Sequence, residues 1–117
     1  MPEKLRLFTK ILIAELEDLE EDLQTWGKYL EEKHQSDKIS EYVFLENNAL
    51  LRRELLGLKT MVQAIGHKHP TNLPDIESIK EYYLALVKRE ADKYEFQAAI
   101  LAFATKKIEK VYGYLKE

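Results

Sequence analysis

From Ala91 to Ala104 the chain reads Ala-Asp-Lys-Tyr-Glu-Phe-Gln-Ala-Ala-Ile-Leu-Ala-Phe-Ala. How this stretch folds decides the architecture. No Gly or Pro lies between Pro74 and Gly113. The positions Ala91, Tyr94, Ala98 and Leu101 keep the alternating three-and-four spacing of a helical seam. Heptad phase therefore favours one continuous helix through it. The same stretch is apolar on nearly every face from Tyr94 onward. A helix of that kind must be covered all round, which asks for a third or fourth neighbour.

Outward from this stretch, three amphipathic segments account for the chain. The first covers about 2–33, with Pro2 suited to a first helical turn. Its seam is Leu5, Phe8, Leu12, Leu16, Leu19, Leu23, Trp26 and Leu30. The second covers about 37–65, with Ser36 or Asp37 as its N-cap and Gly66 as a left-handed C-cap. Its seam is Phe44, Asn48, Leu51, Leu55, Leu58, Val62 and Ile65. Pro70 and Pro74 define a loop, and Asp75 can cap a third segment over about 75–115. The expected fold is all-α: a single-domain antiparallel up-down bundle of long amphipathic helices. The last helix is either continuous or broken near 91–95, which gives a four-helix bundle.

The two alternatives differ in what they leave bare. A continuous third helix is about 60 Å long at 1.5 Å per residue, and its end overhangs the other two by about 20 Å. Ile108, Val111, Tyr112 and Leu115 then form an uncovered stripe that calls for a partner. With Tyr94, Ala98, Leu101 and Ala102 they make a candidate homodimer seam, the small alanines allowing close approach. A break instead folds the segment back and hides the stripe. Length matching favours the break.

Composition limits the functional classes. The chain has 117 residues, 45% of them apolar and 33% charged, with four Gly, three Pro and no Cys. Few Gly and Pro argue against an all-β fold. The absence of cysteine removes disulfides, thiolate metal sites and thiol catalysis. Eighteen basic and twenty-one acidic residues leave a net charge of −3, which disfavours nucleic acid as a partner. The apolar run Ala98–Ala104 is too short to span a bilayer, which needs about 20 residues. The charged N-terminus lacks the apolar core of a signal peptide, so a cytoplasmic setting is expected.

Six acids fall between Glu15 and Asp22. Folding segment two back about residue 36 places Arg52 and Arg53 beside Leu19 and Glu20, so cross-helix ion pairs are expected to fix register. Asn48 then lies near Gln24 and Asp92 as a polar layer. His67 and His69 are weak metal-ligand candidates on the second loop. Glu31-x-x-His34 has the spacing of ferritin-like di-iron bundles but occurs once, at a helix end. Ser36, Ser40 and Ser78 sit at helix starts, where capping accounts for them. No phosphate loop or nucleophile elbow is present. Lys106, Lys107, Lys110 and Lys116 make a basic end near Tyr112 and Tyr114. The leucine-and-acid pattern of the first two segments looks like that of flagellar-type export chaperones, a likeness any antiparallel bundle shares.

The function expected is that of a non-catalytic protein-interaction module, a small adaptor or chaperone-like bundle without cofactor. It self-associates through its C-terminal helix or binds another protein's amphipathic helix. A metal- or small-ligand-binding bundle is the alternative, and nucleic-acid association a weaker one.

Overall fold

The computed structural model describes residues 2–67, 70, 73–94 and 98–116. Four helices carry them: α1 (Pro2–Gln35), α2 (Glu41–His67), α3 (Ile76–Tyr94) and α4 (Ala98–Leu115). The third segment is therefore broken, and α3 runs to Tyr94 before the break. The continuous helix is overturned. The seam read through Ala91, Tyr94, Ala98 and Leu101 does not carry on into the core either: α4 buries Ile100, Ala104, Ile108 and Val111, and Ala98 is exposed.

α1 packs chiefly on α2, and α3 on α4, with α4 returning along α1. The core draws on all four helices: Phe8, Leu12 and Leu16 from α1; Leu58, Met61 and Ile65 from α2; Ile79, Tyr83 and Leu86 from α3; Ile100, Ala104, Ile108 and Val111 from α4. Two of the expected interface residues, Ile108 and Val111, are thus fully buried in the chain's own core. Leu101, Tyr112 and Leu115 pack half-buried against it. The overhang that made this stripe a dimer seam does not form, because α4 turns back and uses its apolar face internally. Tyr112 also donates a hydrogen bond to Glu77 at 3.0 Å and carries the Lys80 ammonium 4.4 Å from its ring centre. Tyr94, Ala98 and Ala102 stay exposed near the start of α4.

Tyr83 is the largest fully buried side chain, stacked on Phe8 with ring centres 5.6 Å apart. Its hydroxyl would be costly to bury without a partner. It hydrogen-bonds Thr9, whose own hydroxyl donates to the Leu5 carbonyl at 2.8 Å. Burial pushes the Tyr83 phenol above its ordinary pKa.

The first connection differs from its sequence reading. α1 continues to Gln35 and ends in a Schellman motif. Lys38 N–H donates to the Lys33 carbonyl at 2.9 Å and Asp37 N–H to that of His34 at 3.1 Å. Asp37 takes the left-handed position at φ 57°, a place where glycine is usual and aspartate is tolerated. The N-cap of α2 is Ser40, whose Oγ accepts from Val43 N–H at 3.1 Å, so Ser36 and Asp37 are not caps. Gly66 is no left-handed cap either: α2 runs on through His67, and no described glycine has positive φ. Asp75 does cap α3, accepting from Ser78 N–H at 2.8 Å. The Ser78 hydroxyl, together with that bond, holds the Asp75 carboxyl below its usual range.

Moving the cap changes the α1–α2 register. A Cβ added at Gly27 would stand 2.9 Å from Leu51 Cδ2, so Gly27 lies directly against Leu51. A fold about residue 36 would have placed Leu51 almost two helical turns away. Glu20 is accordingly met by Lys59 at 3.9 Å and not by Arg52 or Arg53, both of which are exposed. The same register sets Asn48 level with Leu30 and not with Gln24, and no side-chain hydrogen bond between Asn48 and Gln24 or Asp92 is found among the described residues.

Candidate functional site

The helices are unequal, as the sequence suggested, but the excess lies in the other hairpin. α1 has 34 residues and α2 has 27, against 19 and 18 for α3 and α4. No described residue of α1 beyond Leu23, and none of α2 before Leu58, belongs to the four-helix core. Past that point α1 and α2 continue as a two-helix arm. Its own seam is thin: Leu30 and Leu51 are buried there, and Gly27 lets the two backbones approach. At the tip, His34 stacks on Phe44 with ring centres 4.2 Å apart, and its Nε2 lies 2.6 Å from the Glu41 carboxylate. A carboxylate only accepts, so the imidazole donates. His34 is spent on closing the hairpin.

The apolar stripes that face the core do not stop where the core stops. On α1, buried Leu12 and half-buried Leu19 lead at seven-residue spacing to Trp26. On α2, buried Gly57 leads back at the same spacing to Leu50 and Val43. Seven residues are close to two full turns, so these side chains share one face. α3 and α4 cover that face over the core but not over the arm. Trp26, Tyr29, Val43 and Leu50 are left 48, 46, 40 and 46% exposed. Trp26 and Tyr29 stack with centres 5.3 Å apart, and the Lys33 ammonium lies 5.2 Å from the Tyr29 ring centre. The rings are therefore held in a defined arrangement on a rigid helix. Tyr42, Leu45 and Leu56, with Ala49 between, form a second exposed stripe on α2.

Other candidates are occupied structurally. Lys107 and Lys110 of the basic end both reach Oε1 of Glu15, each at 3.0 Å. These bonds hold the Glu15 carboxyl below its ordinary range. A carboxyl depressed in the folded state adds stability above its unfolded pKa and loses it as pH falls through the lower folded value. Glu15→Gln is accordingly expected to cost about 1 kcal/mol at neutral pH, a difference that shrinks as pH falls through the lowered range of the folded carboxyl. Paired melting curves of the two proteins across that range measure the difference.

His67 ends α2 exposed, and His69 lies outside the described residues. Among the described residues, no three histidine, aspartate or glutamate side chains converge as a metal site. Ser40 caps α2, and Ser36 bonds back to the Glu32 carbonyl at 2.8 Å. Among the described residues, one shallow open depression is lined by Glu17, Glu20, Glu21 and Gln24, and another lies at the arm tip beside Tyr29 and Lys33. Among the described residues, no helix is long and apolar enough to cross a membrane. The chain matches no family model, no curated protein and no solved structure.

Proposed function

We propose that this chain is a non-catalytic protein-interaction module whose docking surface is the uncovered face of the α1–α2 arm. One observation carries the reading: the stripes that build the core run on past the end of α3 and α4 with large apolar side chains still on them. Burying residues such as Trp26 and Leu50 is worth roughly 1.5–3 kcal/mol each, and contiguous exposed apolar faces mark interaction sites. The chain itself supplies the template for an occupant, since α3 and α4 show that a helical pair fits this face. The surface lies on the arm and not on the C-terminal helix, whose Ile108 and Val111 are used internally.

The test is site-specific photo-crosslinking in the producing cell. A crosslinker replacing Trp26 is expected to give discrete adducts that one replacing Lys28, exposed two residues on and so on the far side of α1, does not give. The same pattern at both positions would overturn the reading.

A further inference from the structure

We infer that the occupant of the arm's face is a second copy of this chain, docked antiparallel across a two-fold axis. This rests on the reading of that face as a docking surface and adds the partner. Asp22, Trp26, Tyr29 and Lys33 follow one another on α1 at spacings of four, three and four, so they form a single stripe along the arm. The stripe is complementary to itself when reversed. A two-fold axis midway between Trp26 and Tyr29 brings each Trp26 beside the partner's Tyr29. The same axis brings each Asp22 beside the partner's Lys33. Both charges are available: among the described residues the Lys33 ammonium has no ion pair and lies only against the Tyr29 ring, and Asp22 has no ion pair. Because Gly27 lies against Leu51, the axis crosses α2 beside Leu50, and each Leu50 meets its own copy. Val43 flanks that contact.

The pairing repeats a device the chain already uses. Glu15 lies on the acidic continuation of this stripe, seven residues before Asp22, and there α4 covers it and offers two lysines. In the dimer the partner's arm takes the place of α4, and the partner's Lys33 takes the place of Lys107 and Lys110. The face extends about 18 Å along α1 beyond Leu23 and two helices across, about 20 Å. That gives on the order of 700 Å² for both copies, below the range of permanent dimers. An association of that size is weak and reversible.

Sedimentation equilibrium of the full chain from about 5 to 500 µM tests this across the range such an interface implies. The wild type is expected to move from monomer to dimer. Asp22→Lys and Lys33→Asp each set like charges against each other twice, and each is expected to weaken the dimer about tenfold or more. Both positions are on the surface, so circular dichroism should show each variant folded. Mixed one to one, the two variants form a heterodimer in which every pair is again opposite in charge, and the dimer mass is expected to return. A wild type that stays monomeric throughout overturns the second copy, as does a dimer indifferent to Asp22→Lys or a mixture that does not reassociate. A monomer that still crosslinks through position 26 to another protein sinks this pairing while leaving the arm a docking surface. Absence of crosslinks sinks both.

Discussion

Ile108→Asp is expected to abolish the folded state. Ile108 is fully buried among residues from all four helices, at a position with no described cation against it. An aspartate there either stays ionised without a partner or takes up a proton at a cost, and mutations that bury an unpaired charge reach about 4–5 kcal/mol or more. Domains of this kind hold only about 5–15 kcal/mol in total. Far-ultraviolet circular dichroism should show most of the helical signal lost at 37 °C, without a cooperative melting transition. Ile108→Val, which removes one methylene, should fold and cost about 1 kcal/mol. The experiment bears on architecture as well as stability. On an overhanging C-terminal helix, the aspartate would be a surface change that leaves the monomer intact. A stably folded Ile108→Asp protein would therefore restore the continuous third helix.

How much of this was legible in the sequence follows from what periodicity can encode. Phe8, Leu12, Leu16, Leu58 and Ile65 were on seams read from spacing alone, and they are core residues. Spacing says which face of a helix is apolar, and burial follows from that. It is silent on where a helix ends when the ends lack their usual residues. Asp37 closes α1 in a position normally given to glycine, while Gly66 stays helical. Those two departures shifted the α1–α2 register and moved Arg52, Arg53 and Asn48 away from their expected neighbours. The break between α3 and α4 was hidden because no Gly or Pro marks it in the sequence.

The mismatch in helix length was legible, and its location was not. Which hairpin overhangs depends on where the third segment turns, and the sequence left that open. Once α4 folds back, the surplus moves to α1 and α2. Trp26 lies on a seam that spacing shows, whereas Val43 and Leu50 lie off the seam of the second segment. Their signal is the seven-residue spacing from Gly57, a residue whose burial only the structure supplies.

Two aromatic residues on the same helix should respond very differently to truncation. Phe8→Ala removes a fully buried ring that stacks on Tyr83, and Phe-to-Ala changes in cores cost about 3–5 kcal/mol. For a chain of this size that is about 10–20 °C in melting temperature. The loss should exceed the transfer of one ring, because Tyr83 loses its stacking partner while its hydroxyl remains tied to Thr9. The surroundings cannot collapse freely onto the space. Trp26→Ala removes a larger ring, but one 48% exposed on the arm and supported only by Tyr29 and the edge of the hairpin. At concentrations where the chain is monomeric it should cost about 1 kcal/mol or less. Raised well above the dimer's dissociation constant, the wild type should gain melting temperature by mass action and Trp26→Ala should not. Equal losses from the two truncations at low concentration would place Trp26 inside the monomer's core. The arm would then have no open face.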